Sequence, residues 1–96
     1  MSLEITYYAA APNTNIYGLP ISSETRTASG TSAQSGATPT NASYIRIRSS
    51  AANRYAYGTN PTATAAAGAN GHYIGTGDVI DIPAVPGNLL AVITAT

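Results

Sequence analysis

The chain has no cysteine, no lysine, no phenylalanine and no tryptophan. Without cysteine, disulfides and most zinc sites are excluded. Four arginines oppose four acidic residues among the 96 residues. This is too little positive charge for a surface that neutralises several phosphates. We therefore expect no nucleic-acid partner.

Long apolar runs are also missing. No segment reaches the roughly 20 apolar residues that a membrane-spanning helix needs. No basic stretch followed by an apolar one opens the sequence, although a chain trimmed of its signal would look the same. We expect no membrane partner and no secretory signal in this sequence.

The material for a hydrophobic core is sparse. Hydrophobic residues make up 44% of the chain, but many are alanines, which add little apolar area. The large candidates are leucine, isoleucine, valine and the seven tyrosines. A domain of this size has a small stability margin, and without disulfides association is one of the remaining remedies. We expect self-association as a dimer or trimer, or stability only on a larger partner.

Short segments in which apolar and polar residues alternate predict an all-β fold. One or two irregular strands are expected between Ile16 and Thr27, and Thr62–Ala69 is expected to be a loop or an edge strand. The clearer strands are predicted at Leu3–Tyr8, Ser43–Arg48, Arg54–Tyr57, Tyr73–Ile74, Val79–Ile82 and Leu89–Thr94. Turn residues separate them. The expected fold is a single-domain antiparallel β-sandwich, jelly-roll-like, over residues 1–96.

The same period of two selects a core. The residues expected in it are Ile45, Ile47, Ile80, Ile82, Leu89, Ala91 and Ile93. The last strand is apolar on its other face too, through Leu90 and Val92. This pattern is typical of a central strand of a sandwich, or of a strand whose outer face is covered by a partner.

Ala28–Ala42 contains serine, threonine, glycine and alanine but no large apolar residue. A segment of this composition is predicted to be a flexible loop, or an extended segment that a partner orders. Loops of this length inside a small domain often have a function.

Residues that could carry catalysis or bind a metal are few. His72 is predicted to lie in a turn, Asp78 in the Gly75–Asp78 turn, and Asp81 on a solvent-facing strand position. The three-residue offset puts the two carboxylates on opposite faces of a strand, and a calcium site would lack ligands. We expect no catalytic residue, no cofactor-binding residue, no metal site and no enzymatic activity.

Polar and aromatic residues share single strand faces at two places. Arg46 and Arg48 lie beside Tyr44, and cross-strand pairing of the arginines with acids is the expected use, with nucleic-acid or sugar contact as the alternative. The acids considered are Glu4, Glu24 and Asp81. Tyr55 and Tyr57 are assigned to the core, with sugar stacking or an interface as the alternative.

Four segments of the C-terminal half form a recognisable pattern, namely Tyr44–Ser49, Arg54–Ala63, Ile80–Pro83 and Leu89–Ile93. The most specific element is Tyr57-Gly-Thr-Asn-Pro-Thr-Ala63. The pattern resembles small structural proteins of tailed bacteriophages, in which a strand leads to an aromatic-x-aromatic-Gly-x-Asn-Pro-Thr-Ala hairpin. The resemblance implies a virion component, namely a head cement or decoration protein with a jelly-roll-like fold and no catalytic residues.

This resemblance sets the functional expectation. A capsid cement protein binds across junctions between major capsid proteins on the capsid exterior and is made in the host cytoplasm. Here Ala28–Ala42 and the Leu3–Tyr8 strand would contact neighbouring virion subunits. The alternative is a receptor- or glycan-binding module of a phage tail fibre, which would use exposed tyrosines.

Overall fold

All regular structure in the computed structural model is β-strand, and the structure describes residues 2–9 and 20–95. The strands are β1 (Ser2–Tyr8), β2 (Pro20–Thr27), β3 (Ala33–Gln34), β4 (Tyr44–Ser49), β5 (Asn53–Gly58), β6 (His72–Ile74), β7 (Val79–Pro83) and β8 (Leu89–Thr94). Every pairing between them is antiparallel. They form a first sheet in the order β2-β1-β4-β7 and a second in the order β3-β8-β5-β6. The predicted all-β sandwich is confirmed. Within these ranges no helix could cross a membrane.

The strand order is that of a circularly permuted jelly roll, in which the strand that is normally last comes first in the sequence. If β1 is counted after β8, the first sheet has the order 1-8-3-6 and the second 2-7-4-5, as two Greek keys in a double-sheet jelly roll require. Ser2 and Thr94 lie at the same end of the sandwich. Ser2 pairs with Thr27, and Thr94 N donates to Ser29 O at 2.9 Å. As a result β1 is a central strand of the first sheet.

The main core lies between the two sheets. Alternation along β1 and β4 turns Leu3 and Ile5 of one strand and Ile45 and Ile47 of the other inward, and all four are fully buried. The remaining buried members are Tyr7, Ala28, Ala42, Ile74, Leu90 and Val92. The predicted core residues Ile80 and Ile82 are only partly buried, at the margin of this core.

Strand β8 buries side chains on both faces, with a phase that differs from the prediction. Leu90 and Val92 face the main core. Ala91 and Ile93 are buried as expected, but in a second cluster on the outer face of the second sheet. Leu89 was expected in the core and is only partly buried. Because all residues from Leu89 to Ile93 are apolar, the sequence of the strand cannot indicate which face turns inward.

The outer face of β8 is covered by the chain itself. The loop between β5 and β6, residues 59–71, brings Ala63 against this face. Gln34 Nε2 donates to Pro61 O at 2.8 Å, and Arg54 donates from Nε to Ala65 O at 3.1 Å and from Nη1 to Gly71 O at 2.9 Å. The 59–71 loop therefore covers the outer face of β8, the face for which the sequence allowed a partner.

The Ala28–Ala42 segment lies along the edge of the second sheet. It contains β3, which pairs with β8. Beyond β3, Ser35 N donates to Leu90 O at 2.7 Å and Thr38 N to Asn88 O at 2.8 Å, and the Ser35 and Thr38 side chains are buried. The chain's own β8 thus supplies contacts for this segment, so no partner is needed to explain them. Its flexibility in the free protein stays a prediction.

The side of the sandwich that carries β2 and β3 is closed by a polar cluster. The Tyr7 hydroxyl donates to Glu24 Oε2 at 2.9 Å, and Gly36 N donates to both Glu24 oxygens at 3.2 Å. Arg26 lies 3.2 Å from the same carboxylate. Burial, helped by Glu24, raises the pKa of Tyr7 to about 12. Glu24 therefore joins β1, β2 and the Ala28–Ala42 segment on this side.

Two other predicted segments differ in detail. Of the irregular strands expected between Ile16 and Thr27, the structure gives β2 from Pro20 onward, and residues 16–19 lie outside the described residues. Thr62–Ala69 is a loop, ended by an isolated bridge between Gly68 and Gly71.

Candidate functional site

A cleft of about 350 Å³ opens between the edge strands of the two sheets. Its lining residues are Tyr55, Tyr57, Ala69, His72, Ile82, Pro83 and Val85, and we call it the β6–β7 cleft. At one end of these strands the Gly75–Asp78 turn joins the sheets, and Ile74 beside it is buried. At the other end His72 is exposed. The sandwich is therefore closed at the turn and open toward His72 and Pro83.

The Gly75–Asp78 turn is formed as the sequence predicts. Gly75 N donates to Asp78 Oδ2 at 2.8 Å, and Asp78 N donates to Gly75 O at 3.1 Å. Gly77 has a φ of 79°, a value that glycine adopts readily. This short connection fixes the spacing of β6 and β7 where the cleft begins.

One wall of the cleft is held by the Tyr57 hydroxyl. Its oxygen lies 2.7 Å from Thr38 Oγ1, 3.1 Å from Val85 O and 3.0 Å from Val85 N, which donates to it. These bonds attach the chain after β7 to the second sheet. Because its hydroxyl is fully engaged, Tyr57 offers a ligand mainly the face and edge of its ring.

Tyr55 and His72 form the other aromatic part of the wall. They are directly paired across β5 and β6, with ring centroids 5.5 Å apart and planes at 44°. Burial raises the pKa of Tyr55, so its hydroxyl is protonated at neutral pH. In the described part of the chain this hydroxyl has no hydrogen-bond partner. His72, predicted to lie in a turn, is the first residue of β6 because the turn ends at Gly71.

Exposed apolar side chains lie on the edge strands beside this cleft. Within residues 2–9 and 20–95, the exposed large hydrophobic residues are Tyr73 at 58%, Val79 at 43% and Val85 at 47%. Val85 lines the cleft together with Ile82, which lies at the margin of the main core. Tyr73 and Val79 alternate with the inward residues of β6 and β7, so they point to the outer faces of the two sheets. The side of the sandwich that carries β6 and β7 thus exposes apolar surface both inside and beside the cleft.

The outer edge of β7 carries backbone groups that meet no other strand in the described residues. Ala84 N donates to Ser43 O at 3.2 Å and Ser49 N to Asp78 O at 3.1 Å. Because antiparallel ladders alternate, these bonds fix the residues of β7 that bond to β4. The peptide groups of Val79 and Asp81 then point away from β4. The β7 edge is thus an available row of donors and acceptors.

A second aromatic surface lies on the outer face of the first sheet. The rings of Tyr8 and Tyr44 are stacked, with centroids 4.9 Å apart and planes at 2°, and the Arg46 guanidinium carbon lies 5.7 Å from the Tyr8 centroid. Arg46 also donates two hydrogen bonds to Asp81, at 2.8 and 3.0 Å. These bonds lower the pKa of Asp81. The predicted cross-strand pairing is confirmed for Arg46 and Asp81.

The residues considered for chemistry lie apart. Asp78 belongs to its turn, Asp81 to the ion pair with Arg46, and His72 to the cleft wall. In the described ranges no group of three or more metal-binding side chains is brought together. The cleft lining there includes no carboxylate and no aliphatic hydroxyl. That the protein is not an enzyme and needs no cofactor stays a prediction.

Comparisons with known proteins give no family: no family model, no curated protein and no solved structure matches the chain. The resemblance to phage structural proteins therefore stays a prediction.

Proposed function

We propose that the chain is a non-enzymatic structural protein that docks on a larger protein assembly through the side of the sandwich carrying β6 and β7. The observation that carries this proposal is the open apolar cleft at the margin of the core, which is lined by Tyr55, Tyr57, Ile82 and the exposed Val85. The opposite side is closed by the Glu24 cluster. Buried aromatic and aliphatic side chains are what the centre of a protein interface requires.

The assembly we propose is the head of a tailed bacteriophage, with the major capsid protein as partner. This part is supported by the resemblance at Tyr57–Ala63 and by a net charge of zero, which suits a subunit held in an assembly. As a cement protein the chain would lie on the capsid exterior, across junctions between capsid subunits. Binding the assembled shell but not the separated subunits would stabilise the shell by mass action.

Self-association as a dimer or trimer belongs to the same proposal. Its support is the sparse core of a small domain without disulfides rather than β8, whose outer face the 59–71 loop covers. Sedimentation at micromolar concentration tests it. A single monomeric species would remove self-association from the proposal without affecting docking.

Particles made with and without the chain test the cement function. We expect those lacking it to release DNA at a lower temperature, and purified chain to restore the difference. Equal release temperatures, with the chain demonstrably bound, would contradict a stabilising role. If the chain does not bind particles at all, the proposed location is wrong.

A glycan-binding module is the second candidate, favoured by one observation. The stacked Tyr8 and Tyr44 rings lie beside the charged pair of Arg46 and Asp81 on a sheet face, and sugars bind where aromatic faces adjoin polar groups. A glycan array with the wild type and Tyr44→Ala tests this, with Tyr73→Ala on the other sheet as the control. Binding lost only in Tyr44→Ala would favour this candidate over the cement protein.

A further inference from the structure

We propose that the β7 edge and the β6–β7 cleft together bind an extended segment of a partner protein as an added β-strand. The inference rests on the proposed docking function and names its mode. Two independent features carry it, namely the outward peptide groups of β7 and the apolar cleft beside them. An extended peptide is the ligand that uses both at once.

The backbone of the partner would pair with Val79 and Asp81. Their peptide groups point away from β4, as the flanking bonds Ser49 N to Asp78 O and Ala84 N to Ser43 O require. Pro83 ends the strand and has no N–H to offer. The edge therefore suits a short antiparallel or parallel segment that pairs over the first residues of β7.

The side chains of the partner would fill the cleft. In an added strand every second side chain points to the core face of the sheet, next to Ile82. The cleft between Ile82 and the Tyr55–His72 pair lies at this place. An apolar side chain entering it would extend the main core and cover side chains that are partly exposed in the free protein.

A small polar ligand fits the cleft less well. The Tyr57 hydroxyl is already bonded to Thr38 and Val85, so the polar groups left in the wall are the Tyr55 hydroxyl and the His72 ring. A sugar has many hydroxyls and would leave most of them unpaired in this site. An extended peptide brings its own donors and acceptors, and they match those of the edge.

A second copy of this chain is disfavoured as the occupant by Pro83. Pairing the full length of β7 with β7 of another copy around a two-fold axis centres the contact on Asp81. It sets Pro83 of each copy opposite Val79 of the other, where proline has no N–H to donate to the outward Val79 carbonyl. The occupant we infer is therefore a different chain, with apolar residues at alternate positions and no proline opposite Val79.

The test begins with a displayed library of random nine-residue peptides selected on the full chain. Selected peptides are then measured against variants in matched pairs. Val79→Pro removes one outward N–H, and Val79→Thr keeps it. Ala69→Glu places a charge in the cleft wall, and Ala67→Glu places one on the same loop outside the wall. Thermal melting of each free variant shows whether it is folded.

We expect Val79→Pro and Ala69→Glu to weaken peptide binding about tenfold, the effect of losing about one interfacial hydrogen bond or one apolar contact. The two control variants should bind within about twofold of the wild type. Amide exchange at Val79 and Asp81 should slow when peptide is bound. If Val79→Pro lowers the melting temperature of the free chain, peptide binding to Ala69→Glu and the amide exchange still test the inference.

Selected peptides that bind all variants alike, or that leave the β7 amides unchanged, would overturn the inference, as would a selection that yields no peptide. If the chain still protected particles in those cases, the docking function would stand and use another surface. If peptides bound as expected but particles were unaffected, strand addition would stand and the capsid function would fall.

Discussion

Replacing Ile45 and Ile82 separately with alanine tests whether the sandwich is open at the β6–β7 cleft. The two residues are direct partners across β4 and β7 and face the same core. Ile45 is fully buried, whereas Ile82 is partly buried and lines the cleft. Because both substitutions remove the same atoms, a difference in the lost free energy of unfolding reports how enclosed each side chain is.

The expected costs follow from burial. Ile45→Ala leaves a closed cavity and should lower the free energy of unfolding by about 2–5 kcal/mol. Ile82→Ala widens a cleft that solvent already enters, so only the transfer of part of the side chain is lost, about 1–2 kcal/mol. For a domain of this size the two variants should differ in melting temperature by roughly 5–15 °C.

Urea unfolding followed by tyrosine fluorescence gives both values in one assay, since the change in midpoint at constant slope reports stability. A selected peptide should leave the difference in stability between the wild type and Ile45→Ala almost unchanged. It should bind Ile82→Ala less tightly than it binds the wild type. Equal losses of stability for the two substitutions would contradict an open cleft, because Ile82 would then be as enclosed as the rest of the core.

Three further predictions test the fold. A side chain at Gly71 would collide with the backbone of the 59–71 loop, whereas one at Gly68 meets nothing; Gly71→Ala should lower the melting temperature and Gly68→Ala should not, and equal effects would place the loop elsewhere. Leu90→Asp should unfold the chain and Leu89→Asp should not, which circular dichroism can measure. The reverse result would mean that Leu89, and not Leu90, faces the main core. The pKa of Tyr7 is about 12 in the folded chain against 10.0, so this residue contributes stability that is complete below pH 10 and lost as the pH rises toward 12. Tyr7→Phe should therefore make the melting temperature fall less steeply between pH 10 and 12. An unchanged fall would contradict the raised pKa of Tyr7.

The strands were predictable where one face is apolar and the other polar. Leu3–Tyr8 and Ser43–Arg48 alternate cleanly, so their inward residues follow from the period of two. Leu89–Thr94 has no polar face, and its phase depends on which part of the chain lies on each side. The 59–71 loop supplies one of those sides, and its Gly-Thr-Asn-Pro-Thr-Ala sequence does not indicate where it packs.

The cleft could not be predicted because it depends on the order of the strands in the two sheets. Tyr55 and Tyr57 were expected in the core, and they do pack against it while forming the cleft wall. Only the placement of β6 and β7 at matching edges exposes them. The backbone bonds of the Ala28–Ala42 segment could not be predicted for a related reason. Its small residues bind through backbone groups to β8, and hydrophobicity does not report backbone bonding.

An image of the phage particle at a resolution that places individual side chains tests the proposed location and docking mode most directly. We predict the chain on the outer surface of the head, across junctions between capsid subunits, with the β6–β7 side toward the capsid. We also predict an extended capsid segment along Val79 and Asp81. A head without the chain, or a bound chain whose β6–β7 side faces solvent, would contradict these predictions.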